Sequence, residues 1–313
     1  FVFGYLYRYG IGFQRNKEES FRLMKLAADQ GHVIAEFEIG DCYLHGIGIE
    51  KNTELAFEYY MRAATKGYSL AQFNVGRCYD SGSGVKEDHS LGFEWLKKSA
   101  ENGYSYSYYT LGSFYFFGIG TEVNEKEEIK WFQLSAEKGH DQGLSMMGLF
   151  YHYGRIVEKD RNKSIQLFEK AAALQWNYDT NYHLALHYLQ DESDPSNQTK
   201  GFQILKSVQN SNPVKIALGL CFEFGLGVEK DQKQVFELYA EASIFPLAKY
   251  NVGRCYEEGI GVEVNVDEAR RLFEEAARGN NWYEEGNIDA MNKLREFEED
   301  RVRVRFRRCG WKF

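Results

Sequence analysis

The chain has 313 residues, of which 43% are hydrophobic and 16% aromatic, with only three prolines (Pro195, Pro213, Pro246), so it is no disordered polymer and long stretches are free to be helical. Its formal charge is −8, but residues 301–313 carry Arg301, Arg303, Arg305, Arg307, Arg308 and Lys312 with no acid; without those six positive charges, residues 1–300 hold −14. So acidic a body repels phosphate backbones and anionic lipid, and no run approaches the roughly 18 consecutive apolar residues of a membrane span, which argues against general nucleic-acid binding, membrane-surface binding and a transmembrane role for this part of the chain.

Two or three ordinary domains would fit this length, but one block recurs and points to a single array. Phe73-Asn-Val-Gly-Arg-Cys-Tyr79 returns as Tyr250-Asn-Val-Gly-Arg-Cys-Tyr256. Aligned on the glycine of that block, the chain shows Gly4, Gly40, Gly76, Gly112, Gly148, Ala185, Gly219 and Gly253, at steps of 36, 36, 36, 36, 37, 34 and 34. Eight units therefore reach to about residue 281. Phe1 falls inside a repeat, so the first repeat is expected to be truncated and a preceding segment to exist.

Taken in chain order, units one to four share one plan. A first helix places an apolar residue just before the glycine and an aromatic three after it on one face, as in Ile39, Gly40 and Tyr43. The glycine costs roughly 1 kcal/mol of helix propensity against alanine, so close packing of a neighbouring helix is its expected reason. Gly10/Gly12, Gly46/Gly48, Gly82/Gly84 and Gly118/Gly120 then suit left-handed backbone at the helix end. Asn16, Asn52, Asp88 and Asn124 read as N-caps of a second helix, which presents Leu23, Tyr59, Trp95 and Trp131 and, four residues on, Ala27, Ala63, Ser99 and Ser135. Gly31, Gly67, Gly103 and Gly139 close that helix.

Unit five keeps Asp160 as cap and Leu167 with Ala171, but has Ile156 where the second turn glycine belongs. Unit six departs further, with Ala185 for glycine and Asp191-Glu-Ser-Asp-Pro-Ser-Asn197 for the glycine-rich turn, and Asn197 is its expected cap. Units seven and eight restore the plan with Gly225/Gly227, Asp231, Leu238, Ala242 and Gly259/Gly261, Asn265, Leu272, Ala276. A polar C-terminal capping helix is expected over 282–300, and 301–313 reads as a basic tail that is disordered, adds as a strand, or binds an acidic surface or nucleic acid.

The composite pattern, small-x-aromatic-x-Leu-Gly-x-x-Tyr-x-x-Gly-x-Gly-Val and then Ala-Ala-x-x-Gly, resembles the Sel1-like repeat family over about nine tenths of the chain. The resemblance implies an all-α fold, a right-handed α-solenoid superhelix of about eight helix-turn-helix repeats over residues 1–281. It further implies an adaptor or scaffold in multi-protein assemblies, and no reaction. Two other readings stay open: a regulatory repeat region of a larger signalling protein such as a kinase, and a hydrolase built on the repeats.

Features with chemical overtones have plainer explanations. The Gly-x-Gly turns lack the preceding strand and the Lys-Ser/Thr of a phosphate loop. His183 and His187 have zinc-ligand spacing, but Leu184 stands where a metalloprotease needs glutamate. Cys42, Cys78, Cys221 and Cys255 share one position, two after the helix glycine, and should be about one repeat apart, beyond disulfide reach; with Cys309 in the tail they suggest a reducing compartment such as the cytoplasm. The sequons at Asn162 and Asn197 are no more than chance supplies. No catalytic, cofactor or metal residue is assigned.

The face of the first helices turned away from the packing residues offers the candidate site, since in such superhelices it lines the concave surface. Positions two before, one after and five after the helix glycine give Asn74 and Arg77 (beside Glu38, Asp41, His45 and Ser81), then Phe117, Met146, Leu149, Tyr153, Leu186, Leu220 and Phe224, then Asn251 and Arg254 with Glu258. A stripe apolar in the middle and polar at its ends suits a protein or peptide ligand, with Arg holding a carboxylate. The same stripe could equally pack as core between units.

Overall fold

The computed structural model describes residues 1–174, 178–191, 194–208 and 211–278. These form sixteen helices and no strand: α1 (Val2–Tyr9), α2 (Lys17–Asp29), α3 (Val33–His45), α4 (Thr53–Thr65), α5 (Ser69–Ser81), α6 (His89–Glu101), α7 (Tyr106–Phe117), α8 (Glu125–Glu137), α9 (Asp141–Tyr153), α10 (Arg161–Leu174), α11 (Tyr178–Leu189), α12 (Pro195–Ser207), α13 (Asn212–Phe224), α14 (Gln232–Glu241), α15 (Pro246–Glu258) and α16 (Val266–Arg278). Odd-numbered helices are the first, and even-numbered the second, of each repeat. Two compact units result, Phe1–Ala171 and a second from Ala172 onward. The terminal helix and basic tail expected beyond residue 281, and Cys309, lie outside the described residues.

Seven second helices start where the asparagine or aspartate ladder places them. Asn16 accepts from the Glu19 N–H at 2.9 Å, Asn52 from Leu55 at 2.9 Å and Asp160 from Lys163 at 2.9 Å, each satisfying an otherwise orphan donor. Asp88, Asn124, Asp231 and Asn265 do likewise. Unit six is a correction. Its cap is Asp194, which accepts from the Ser196 N–H at 2.8 Å, while Asn197 lies inside the first turn and donates to Asp191 at 2.7 Å. Pro195 explains the shift: its fixed φ and missing N–H suit the first helical position, so the preceding residue becomes the cap.

The helix glycine admits a specific partner. A Cβ on Gly40 would fall 2.6 Å from the Tyr60 ring, and one on Gly112 2.7 Å from Phe132. The seated side chains are thus Met24, Tyr60, Leu96, Phe132, Phe168 and Tyr239, all fully buried, one position after the large residues read from the sequence. Tyr59 and Trp131 are buried too, but in the contact to the neighbouring repeat. In unit six the close approach is kept from the opposite side, because Gly201 of α12 faces the Ala185 carbonyl with only 2.8 Å for a Cβ.

Cys42, Cys78, Cys221 and Cys255 are free and buried beside these seams. Burial pushes the Cys42 and Cys78 thiols up to about 11 and those of Cys221 and Cys255 to about 12. At about pH 8 a thiol reagent is therefore expected to label these four only after unfolding, which peptide mass spectrometry reads directly. Labelling of any of them in the native chain at the rate of a free thiol would show that the first helices open.

Candidate protein-binding face

In the first unit the predicted face lies on α5, α7 and α9. Asn74 is partly exposed on α5, and Arg77, one turn on, is exposed with its guanidinium 5.9 Å from the Phe73 ring. Phe117 ends α7 with 67% of its surface exposed, its ring edge-on to Phe116 at 4.5 Å. Met146, Leu149 and Tyr153 follow on α9, each partly exposed, with Met146 resting on the Phe132, Met147 and Phe150 cluster.

The repeats before α5 show how charges on this face are handled. Arg8 of α1 pairs with Glu38 of α3 across the repeat boundary. Glu38 has its carboxyl pushed up by burial, against the pull of Arg8. Asp41 accepts a 2.5 Å hydrogen bond from the Tyr60 hydroxyl. Arg77 has no such neighbour: four residues after the helix glycine of the preceding repeat stands Leu44, and among the described residues Arg77 makes no ion pair.

The second unit arranges the same positions differently, burying two of the expected face residues and pairing a third. Leu220 is 6% exposed, packed in a core with Ile216, Val235, Tyr239 and Val252, and Asn251 is fully buried. Arg254 is already neutralised by Glu223 at 2.6 Å, and Glu223 also accepts from the Tyr239 hydroxyl at 2.9 Å. The cause is the approach of α13 to α15: Leu220 and Val252 share one core, and the ion pair joins the two helices. Phe224 is partly buried against that core, and Leu186 rests on the cluster around Tyr182 and Leu205.

A buried ion pair joins this region without being among the expected face residues. Glu128 of α8 is completely buried, and Arg155, in the turn that follows α9, grips it through two 2.9 Å hydrogen bonds. The Arg155 guanidinium also covers the rings of Phe116 and Phe150 at 4.6 and 5.6 Å, so it underlies the end of α7 where Phe117 projects. His187 is buried, and no group of three or more metal-ligating side chains converges among the described residues. Nor does any helix among them have the length and apolarity to cross a membrane.

The Sel1 repeat model matches residues 4–32, 33–68, 69–104, 105–140, 142–176, 215–243 and 246–281. The unmatched stretch holds the unit with Ala185 and the Asp194–Pro195 cap. Among solved structures, a protective antigen of uropathogenic Escherichia coli strains displaying an SLR fold is similar, with TM-score 0.68 and 24% identity over 96% of this chain and 71% of that one. A Sel1 repeat protein from Oxalobacter formigenes is similar with TM-score 0.51 and 24% identity, over 91% of this chain and 98% of that one. A comparison with curated proteins gives no match.

Proposed function

Because the chain belongs to the Sel1 repeat family, we propose that it is a protein-interaction scaffold that holds a partner protein or peptide against the first-helix face of α5, α7 and α9. The observation carrying this reading is the series of exposed or partly exposed apolar side chains on successive first helices, Phe117, then Met146, Leu149 and Tyr153, beside the uncompensated Arg77. An aromatic with two thirds of its surface in water contributes little to the fold, yet central aromatics dominate binding energy when a partner covers them. The four described thiols offer no competing chemistry, since they are buried and protonated at neutral pH.

The test compares Phe117→Ala with Leu220→Ala, using a partner obtained by affinity capture and titrated calorimetrically. Phe117→Ala is expected to weaken binding by about 1–3 kcal/mol with little change in melting temperature. Leu220→Ala should cost about 2–5 kcal/mol of stability, because it empties a core site, and leave affinity per folded molecule unchanged. Unchanged affinity in the Phe117 variant would remove the face from consideration.

A further inference from the structure

The charge pattern of the first helices narrows the kind of partner this face can hold. Where a first helix carries arginine one or four residues after its glycine, the repeat stack usually supplies a carboxylate: Arg8 meets Glu38, and Arg254 meets Glu223. Arg254 and Arg77 occupy the same position in their repeats, and Glu223 and Leu44 the same position in the preceding ones. Leucine for glutamate therefore leaves Arg77 exposed and without an acidic partner among the described residues. Asn74, one turn back on the same face, adds an amide. Nearby acids are occupied elsewhere, Asp41 by the Tyr60 hydroxyl and Asp80 by His89 at 2.9 Å, and their charge disfavours a doubly charged phosphate next to a single guanidinium.

Spacing supplies the rest. First helices of successive repeats in the first unit are near enough for side chains to pair, as Arg8 and Glu38 do, which places successive first helices on the order of 10 Å apart. An extended peptide rises about 3.3 Å per residue, so one repeat corresponds to about three peptide residues. Resting on the proposed binding face, we propose that Arg77, Phe117 and the Leu149–Tyr153 pair read an extended segment in which an acidic side chain is followed, at intervals of about three residues, by two apolar ones. The guanidinium fork holds the carboxylate, and the exposed ring of Phe117 and the α9 side chains take the two apolar anchors.

The experiment uses fluorescein-labelled peptides carrying Asp-x-x-Phe-x-x-Leu, the reversed order, and the same sequences with Lys for Asp, titrated by anisotropy against the full chain. One order of the Asp peptide is expected to bind roughly tenfold better than its Lys counterpart, with the gap narrowing as salt rises. Arg77→Glu should invert that preference, a result that loss of fold cannot mimic, and Phe117→Ala should weaken both peptides alike. If Arg77→Glu leaves the Asp-over-Lys ratio unchanged while Phe117→Ala still weakens binding, the carboxylate inference falls and the binding face stands. Peptides that bind indifferently to both substitutions, or not at all, would overturn the inference; in the first case the face falls with it.

Discussion

Replacing Arg155 with methionine is expected to lower the stability of the first unit by about 2–3 kcal/mol, read by urea denaturation. Glu128 occupies the second-helix position held by Ser20 in α2, Ala56 in α4, Gly92 in α6 and Ser164 in α10, so a carboxylate is buried where the other repeats place small groups. Two 2.9 Å hydrogen bonds from one planar guanidinium satisfy both of its oxygens. Removing one partner of a buried pair costs about 3–5 kcal/mol, and the figure is reduced here because the Arg155 side chain is 35% exposed and partly screened. Glu128→Ala should cost less, because the freed guanidinium can turn to water. The double variant should recover most of the Arg155→Met loss, and simple additivity in that cycle would contradict the pairing.

The same pair sets an unusual pH dependence. Burial pushes the Glu128 carboxyl above its ordinary value of 4.5, with Arg155 pulling the other way. The folded chain then binds this proton more firmly than the unfolded one, so the contribution is fully present below about pH 4.5 and is lost as pH rises through the folded value. Without Arg155 the carboxyl rises further. The deficit of Arg155→Met should accordingly shrink in mild acid.

The sequence exposes the parts of this fold that recur and conceals those that occur once. Caps and helix glycines are legible because each must satisfy the same local demand in nearly every repeat. Asn197 misleads because the proline that re-registers its helix appears in no other turn of this kind. Glu128 sits in Glu125-Lys-Glu-Glu128, a run indistinguishable from a solvated face unless one notes that the residue four after the Asn or Asp of the ladder is small or apolar in every other repeat. Leu149 and Leu220 hold equivalent positions, yet one is partly exposed and the other buried. That difference depends on how closely the next first helix approaches, which no local pattern encodes. It accompanies a shorter second helix, 10 residues in α14 against 13 in α4, α6 and α8.

Gly84→Ala is expected to cost about 3 kcal/mol or more, and Gly12→Ala only about 1 kcal/mol, although both glycines have φ of 72° and the same place in their repeats. The left-handed penalty is common to the two. What separates them is the neighbour: a Cβ on Gly84 would lie 2.0 Å from the Thr53 carbonyl oxygen at the start of α4, whereas one on Gly12 meets nothing within 4 Å. Backbone at the base of a helix cannot swing aside as a side chain can, so the turn itself must lift off the preceding repeat. Gly48, Gly120, Gly227 and Gly261 make the same approach, to Lys17, His89, Gln198 and Gln232, which makes this contact the joint between repeats. Ile156 stands at the equivalent place with φ of 65°, the only non-glycine in that region among the described residues. Ile156→Gly should therefore stabilise the chain by about 1 kcal/mol through release of strain. Chemical denaturation of the three variants checks the set: equal losses for Gly84→Ala and Gly12→Ala would mean that the joint carries no energy and that left-handed backbone alone explains the recurring glycine.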